Sequence, residues 1–566
     1  MAKNVTILWL AALVIALPFV FRAPGPATGW TAGDPELVVI TPHNEAIRYE
    51  FARAFSAWHR ERFGRPVKVD WRAIGGTTEI MRYLASEYVN AARAWWKRKG
   101  RPWPVGAGDV LTSRALDPAQ PAELQELYQA FRATDDPKAF TCKVDLFFGG
   151  GAFDHVDAFR QGFIVEAGLS SIGADLIPET MSGETWRTPT MYGNVLSTFG
   201  LVYNLDRLRD LGVARPPAQW DDLADPAYFR QVGVSDPTKS GSIAKAFEMI
   251  VHQKCRQAVA AAGFGEADIA RFEDAIKDAK LPLVANPRRE PAGEMPPGVP
   301  PEYQAAIEQG WVDGLRLVQR IGANARYFTD SSSKVPIDVS MGDAAVGLAI
   351  DFYGRFQAQS SRAPDGSERM VYVTPVGGSS VSADPLGLLR GAEHRETAVR
   401  FIEFVLSEEG QRLWTYRPGT PGGPEKFALR RLPIRRDFYP PFEKHLPFAA
   451  DDLADPDINP YSLATNFTYR ARWTGAHFGV QRDLIKAMCL DSADELRAAW
   501  ASILKRGGPE KNPEAMALLE RLPDQPEPLT WRSAPGIMKK YDKLEVMRAW
   551  TEFFRRSYAE AGRKAE

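Results

Sequence analysis

The chain has 566 residues, of which 45% are hydrophobic and 25% are charged, the composition of a globular protein with a large core. Its 70 lysines and arginines nearly balance 71 aspartates and glutamates, so the net charge of −1 excludes a global basic field for binding nucleic acid. Three cysteines, Cys142, Cys255 and Cys489, exclude a disulfide framework and a CxxC-type zinc site.

Residues 1–30 are predicted to be a signal peptide or an N-terminal membrane anchor. Lys3 precedes an apolar run from Val5 to Phe21, and Arg22 and a Pro/Gly-rich stretch follow it. The run is longer than the apolar part of most signal peptides and at the lower limit for a membrane span. No clean small-residue cleavage site follows it. A cleaved periplasmic protein and a protein that stays anchored in the inner membrane therefore both remain open.

Downstream of this segment, short apolar strands alternate with amphipathic helices. Apolar runs predict strands at residues 37–40, 67–71, 144–148, 198–203, 345–350, 371–375 and 385–389. Apolar residues spaced by three and four predict helices at residues 44–62, 77–99, 242–262, 301–321 and 394–406. A polar, proline-containing stretch at 100–141 interrupts this alternation. Beyond residue 440 helical patterns dominate, at 481–504, 515–521 and 541–561.

The alternation predicts an α/β fold with parallel sheets and helices on both faces, in which ligands bind beyond the carboxyl ends of the strands. Four predicted strands end in small or hydroxylated residues that lead into a helix. Backbone N–H groups at such helix starts can donate to an anion. One such turn is more often only a turn, but four together favour a polar, anionic ligand. The candidate ligand-binding residues at these strand ends are Thr41, His43, Asn44, Gly75, Gly76, Thr77, Thr78, Gly149, Gly150, Gly151, Thr238, Lys239, Ser240, Gly241 and Ser242.

Three further candidates, Asp351, Tyr353 and Arg355, follow the strand at 345–350. A carboxylate directly after an apolar strand would face the cleft, although a capping aspartate beside core aromatics gives the same pattern. Lys239 precedes Gly241, so the segment lacks the spacing of a nucleotide-hydrolysing phosphate loop. That lysine is either a ligand contact or a solvated surface residue.

The sequence offers no catalytic set. It has no GxSxG nucleophile motif, Cys142 precedes a strand on the side away from the expected cleft, and Cys255 lies within a predicted helix. No two histidines stand three or four positions apart, as metal-binding pairs on a helix do. We therefore expect binding rather than turnover, with no catalytic residue, no resident metal and no cofactor.

The order and spacing of these segments resemble the periplasmic solute-binding proteins of ABC importers, in the branch that contains ferric-iron binders. The matching segments are residues 37–44, 74–78, 145–151, 199–206, 236–242, 342–353, 371–378 and 397–413. The resemblance extends over roughly residues 35–440.

This resemblance implies a periplasmic-binding-protein type II-like fold, with two α/β lobes joined by hinge strands that close on a ligand. It assigns residues 31–198 and 377–440 to lobe one and residues 199–376 to lobe two. Residues 441–566 remain as a mostly helical C-terminal extension.

The resemblance also bears on the solute. Ferric members hold iron with a histidine, a glutamate, two adjacent tyrosines and a synergistic anion. His43 fits the histidine position, Phe352 and Tyr353 fall at the tyrosine pair, and the glutamate position falls on glycines 149–151. We therefore expect a small anionic or anion-chelated solute rather than ferric iron itself, an ABC permease as partner and an extracytoplasmic location. A membrane-tethered sensory or structural derivative without a transport role is the alternative.

Overall fold

The computed structural model describes residues 30–169, 175–279 and 295–565. The predicted signal or anchor, apart from its last residue, lies outside these ranges. Within them, no helix combines the length and the apolar character needed to cross a membrane.

The described strands, in chain order, are β1 (Glu36–Ile40), β2 (Lys68–Arg72), β3 (Leu146–Phe148), β4 (Ile164–Val165), β5 (Thr180–Met181), β6 (Glu184–Thr185), β7 (Arg187–Thr188), β8 (Met191–Ser197), β9 (Phe199–Asn204), β10 (Val232–Ser235), β11 (Ala325–Thr329), β12 (Val346–Ile350), β13 (Met370–Val373), β14 (Ser382–Leu389) and β15 (Leu432–Pro433).

The described α-helices, in chain order, are α1 (Glu45–Phe63), α2 (Thr77–Arg98), α3 (Ala107–Leu111), α4 (Ala122–Ala133), α5 (Ala152–Arg160), α6 (Leu205–Asp210), α7 (Gly241–Ala261), α8 (Glu266–Asp278), α9 (Pro301–Asn324), α10 (Lys334–Met341), α11 (Asp351–Ser360), α12 (Arg395–Leu406), α13 (Glu408–Thr415), α14 (Pro460–Leu463), α15 (Ala471–Thr474), α16 (Phe478–Ile485), α17 (Ala493–Lys505), α18 (Pro513–Leu519), α19 (Ala534–Lys540) and α20 (Lys543–Ala565).

Two central sheets define two α/β lobes, as the sequence predicted. The sheet of lobe one has the order β15-β8-β14-β3-β1-β2, and the sheet of lobe two has the order β11-β10-β12-β9-β13. Both sheets are mixed, whereas the sequence predicted parallel ones. β1 runs parallel to β2 and β3, but β14 runs antiparallel to β3 and β8, and β9 runs antiparallel to β12 and β13. The antiparallel pairing arises because β9 and β14 enter their sheets from the other lobe.

Within the described residues, the chain passes between the lobes three times. Thr198 alone separates β8 in the first sheet from β9 in the second. The chain returns between β13 and β14, over residues 374–381. It crosses again after Ala464, which packs in the core of lobe one, to reach Phe467 in the core of lobe two.

This third crossing divides the predicted C-terminal extension. Residues such as Leu453 and Tyr461, beyond the expected end of lobe one at 440, still pack in the core of that lobe. From Phe467 onward the chain shares one hydrophobic core with lobe two, to which Trp500, Trp550 and Tyr558 contribute.

Local structure differs from the sequence prediction at several places. The stretch at 100–141 contains α3 and α4, because Leu127 and Phe131 on α4 find a buried face to pack against. The helix predicted at 481–504 is two helices, α16 and α17, separated by a π-helical turn at Lys486–Leu490. The prediction did not include β8 or β11 as strands.

Candidate ligand cleft

A cleft of about 2050 Å³ lies between the two lobes. Turns after β1, β2 and β3 face it from lobe one, and the turn after β10 and the start of α11 face it from lobe two. The predicted ligand-binding residues that line it are Thr41, His43, Gly75, Gly76, Thr77, Gly150, Gly151, Lys239, Ser240, Gly241, Ser242 and Tyr353. The carboxyl ends of the strands thus meet as the fold requires.

The other predicted residues lie beside or behind the cleft surface: Asn44, Thr78, Gly149, Thr238, Asp351 and Arg355. Asn44 caps α1, where its Oδ1 accepts a hydrogen bond from the Ile47 amide at 3.2 Å. Thr78 of lobe one donates from Oγ1 to the Thr238 carbonyl of lobe two at 3.0 Å, so these two residues join the lobes directly.

Asp351 and Arg355 stabilise the hinge, which corrects their predicted place in the cleft. The fully buried Asp351 carboxylate accepts from the amide of Thr198 at 3.1 Å and from its hydroxyl at 3.4 Å. Arg355 lies 3.4 Å from Asp351 and 3.8 Å from Asp451. Burial raises the pKa of the Asp351 carboxyl, and Arg355 opposes that rise. Asp351 follows its strand as expected, but its side chain turns toward the crossing residue instead of the cleft.

The three consecutive glycines after β3 shape the floor of the cleft. Gly149 and Gly150 have φ angles of 89° and 95°, which side-chain-bearing residues rarely adopt. A Cβ atom at Gly149 would lie 2.5 Å from the ring of His43, and one at Gly150 would lie 2.6 Å from Thr77. His155 holds this loop through a 3.0 Å contact between its Nε2 and the Gly149 carbonyl. The glycines therefore allow His43 and Thr77 to pack close to the backbone.

His43 is a buried, neutral histidine in this floor. It is 8% exposed and makes an edge-on contact with Phe148, with the ring centroids 4.7 Å apart. Burial, with a smaller contribution from Arg431, holds its pKa well below the ordinary value. Its Nε2 lies 3.4 Å from Nη1 of Arg431. Because the guanidinium can only donate, Nε2 accepts and the ring proton belongs on Nδ1.

Arg431 is the principal cleft residue that sequence reasoning missed. It is 1% exposed, donates to Ser197 Oγ at 3.0 Å and to Asp384, and stacks over the Phe352 ring at 4.2 Å. It stands next to β15, more than 380 positions from His43, and no motif surrounds it. The sequence feature that could have indicated it is a pair of arginines between the apolar residues Leu429 and Leu432.

Two buried N–H groups of this floor lack a partner among the described residues. They are His43 Nδ1 and Arg431 Nε, and both residues line the cleft. An unpaired buried donor costs about 1–3 kcal/mol, which a ligand acceptor would recover. The floor is therefore suited to an oxygen-rich group.

Carboxylates balance the cations of the cleft. Lys245 on α7 lies 3.0 Å from Glu184 of lobe one and 2.9 Å from Glu248. Burial lowers the pKa of Lys245, but these two carboxylates outweigh it and raise the pKa above its ordinary value. Lys239, one of the predicted anion contacts, has an exposed side chain. Arg355 lies behind the hinge, which leaves Arg431 as the buried arginine that lines the described cleft.

Asp154 places a further carboxylate among the helix starts. It is 5% exposed, and its Oδ2 would lie 3.6 Å and 3.7 Å from Cβ atoms built on Gly151 and Gly241. Burial raises its pKa, and the charge of Arg482 opposes that rise.

In residues 30–169, 175–279 and 295–565, no three histidine, cysteine, aspartate or glutamate side chains group closely enough to hold a metal ion.

Comparison with known proteins supports the class of fold. Residues 208–416, less than half of the chain, match the family model described as bacterial extracellular solute-binding protein. This match confirms the resemblance to solute-binding proteins that the sequence segments indicated. No curated protein sequence matches the chain.

The chain is also similar to solved structures of binding proteins. The periplasmic binding protein AfuA from Actinobacillus pleuropneumoniae, with fructose-6-phosphate bound, is 14% identical with a TM-score of 0.45, covering 76% of this chain and 95% of that one. The apo ferric ion-binding protein A of Pasteurella haemolytica is 11% identical with a TM-score of 0.41, covering 77% and 95%. The spermidine/putrescine substrate-binding protein PotD of Streptococcus pneumoniae is 12% identical with a TM-score of 0.42, covering 80% and 99%.

Proposed function

We propose that this protein is an extracytoplasmic solute-binding protein that clamps a small polar solute, anionic or anion-chelated, between its lobes and delivers it to an ABC permease. The observation that carries the proposal is the pair of buried, unpartnered N–H groups, His43 Nδ1 and Arg431 Nε, in residues lining an interlobe cleft. A ligand can drive closure only through contacts that differ between the open and closed states. Lys239, Ser240 and Tyr353 supply such contacts from lobe two.

An anionic group finds its donors on lobe one. α2 begins after Gly76 and α5 begins after Gly151, and neither helix start has a side-chain cap. Their first N–H groups are therefore available to an acceptor, and the helix dipoles favour negative charge. Arg431 adds the one buried guanidinium whose Nε remains free within the described cleft.

The first test is a thermal-shift screen of the full chain, followed by calorimetry. Probes are glucose 6-phosphate, methylphosphonate and ferric citrate, with glucose as a neutral probe and spermidine as a cationic one. A bound probe at 100 times its Kd adds about 2.7 kcal/mol of stability. We expect saturable stabilisation by at least one anionic probe. Saturable binding of spermidine alone would overturn the anionic part of the proposal.

Two variants connect binding to the site. Arg431→Gln should weaken binding of the anionic probe by about tenfold or more, since it removes a charged hydrogen bond. Arg548→Gln, at a side chain that is 82% exposed, is the matched control and should bind like the parent. Equal affinities in both variants would place the ligand elsewhere.

Transport and location need separate measurements. Cells that lack the protein should lose high-affinity uptake of the identified solute and regain it on re-expression. N-terminal sequencing of soluble and membrane fractions distinguishes a cleaved protein from the tethered alternative, since intact Met1 found only in membranes would favour the tether. Uptake that does not change on deletion would contradict a role in transport.

A further inference from the structure

The segment after residue 466 belongs mechanically to lobe two. Arg472 reaches Glu273 of α8 through Nε at 3.0 Å and Nη2 at 2.8 Å, and Trp473 donates to the same carboxylate at 3.0 Å. Farther along, Trp500 donates from Nε1 to Asn324 of α9 at 2.8 Å. With a shared hydrophobic core as well, the segment and lobe two move as one body.

Arg482 is one of the side chains of this segment that contact lobe one beside the cleft. Arg482 on α16 donates from Nε to the Pro237 carbonyl at 2.7 Å and from Nη2 to the Thr238 carbonyl at 3.1 Å, both in lobe two. The same Nη2 donates to Thr78 Oγ1 of lobe one at 2.8 Å. Thr78 in turn donates to the Thr238 carbonyl. The guanidinium thus closes a hydrogen-bonded ring across the two lobes.

An apolar contact lies on the same face of the helix. Phe478 stands four residues before Arg482, so both side chains project from one face of α16. Its ring packs on Phe153 of α5 in lobe one with the centroids 4.8 Å apart, and Phe478 is 7% exposed. Opening the lobes would return both rings to water and break the Arg482–Thr78 bond.

We infer that Arg482 and Phe478 are positioning residues of the clamp, and that the C-terminal segment sets the balance between closed and open lobes. The effect on solute affinity rests on the proposed function, but the effect on closure does not. Both residues touch lobe one only when the lobes meet. Removing either contact should favour the open form without disturbing either core.

The test is an interlobe distance measured on the full chain without solute. Nitroxides at Asn90→Cys on lobe one and Lys277→Cys on lobe two report the distance by double electron–electron resonance. The native cysteines Cys142, Cys255 and Cys489 are all buried, so labelling is selective for the introduced ones. Asn90 and Lys277 are exposed and stand away from the cleft.

Arg482→Gln should shift the closed-to-open ratio by about tenfold, which corresponds to about 1.4 kcal/mol. Thr78→Val removes this bond and the Thr78–Thr238 bond from the lobe-one side, so its shift should be at least as large, and adding Arg482→Gln to it should change little. Phe478→Ala should shift the ratio in the same direction. Arg548→Gln is the control and should leave the distribution unchanged.

Circular dichroism and thermal unfolding check that each variant is folded. If a substitution on α16 disturbs that helix, Thr78→Val still tests the Arg482–Thr78 bond from outside it. Parent-like distance distributions for Arg482→Gln, Thr78→Val and Phe478→Ala would overturn the inference. A chain that binds none of the solute probes still tests the clamp, because the measurement needs no solute. Conversely, if the variants show parent-like distances while the parent chain binds a solute probe, the inference about the clamp is wrong and the proposed function is unaffected.

Discussion

Gly76 of lobe one lies directly against Lys239 of lobe two: a Cβ atom at Gly76 would be 2.6 Å from the Lys239 carbonyl oxygen. Gly76 has a φ of −76° and a ψ of −178°, which any residue can adopt. An alanine would therefore suit the backbone of lobe one, where only the end of the Glu79 side chain would come close, at 3.3 Å, and its severe clash would lie across the cleft. The absence of a side chain at this position is a requirement of closure.

The first prediction follows from that contact. Gly76→Ala should hold the lobes apart, lowering solute affinity by about tenfold or more, while the thermal midpoint stays close to that of the parent. Calorimetry and the interlobe distance measure the two effects. Gly265→Ala is the control, because Gly265 also precedes a helix with extended backbone and its Cβ would meet only Asp268, at 3.9 Å. Parent-like affinity for Gly76→Ala would contradict this account of closure.

A second prediction concerns the glycine loop. Gly149→Ala should lower the free energy of unfolding by about 2 kcal/mol or more, since a left-handed backbone alone costs about 1–2 kcal/mol and the new methyl group displaces His43. Gly212→Ala separates the two effects, because Gly212 has a φ of 68° with nothing within 4 Å of its Cβ position. Urea denaturation should show the larger loss at Gly149. Equal losses would mean that His43 moves freely.

A third prediction concerns the hinge. Asp351→Ala should lower the free energy of unfolding by about 3 kcal/mol, because it leaves the Arg355 charge buried and the Thr198 amide unpaired. Asp494→Ala, which removes a carboxylate that is 94% exposed, should cost far less. Denaturant titration of both variants measures the difference. Similar small losses would show that Asp351 does not secure the crossing at Thr198.

A fourth prediction concerns acid sensitivity. Burial lowers the pKa of His155 and of His477 to about 4, from 6.5. As pH falls from 6.5 toward 4, the unfolded chain takes up protons that the folded chain refuses, so the free energy of unfolding falls. Each histidine should contribute up to about 3 kcal/mol to that fall. A pKa difference of one unit corresponds to roughly 1.4 kcal/mol of free energy. Urea denaturation between about pH 7.5 and pH 4.5 should therefore show a smaller loss of unfolding free energy for His477→Gln than for the parent. An unchanged slope in that variant would rule out its contribution.

Local pattern predicted the parts of the fold and site that depend on neighbouring residues. The strand ends at Thr41, Gly75 and Gly151 meet at the cleft as expected, because the carboxyl ends of parallel strands share one edge of a sheet. The helix predicted over 44–62 spans Glu45–Phe63, directly after its N-cap Asn44.

The rest depends on contacts between residues far apart in the chain. Asp351 has the expected position but points toward Thr198, which only the packing of the hinge decides. Arg431 lines the cleft and Arg482 contacts Thr78 beside it, both from beyond the segments that carry the resemblance, and neither lies in a recognisable motif. The spacing of residues in a single sequence does not predict such contacts between distant positions.

The core that the C-terminal segment shares with lobe two also has a consequence for how the chain folds. Gln319 of α9 donates to the carbonyl of Leu519 at 3.1 Å and contacts the hydroxyl of Tyr558 at 3.3 Å, partners 200 and 239 positions later. The last strand of the lobe-two sheet ends at Val373, but the helices that cover this sheet include residues from the C-terminal end of the chain. Such long-range closure slows folding and leaves apolar surface exposed in the meantime. We expect chains truncated before α20 to aggregate. In the full chain we expect lobe one to fold first and lobe two to be the slow step.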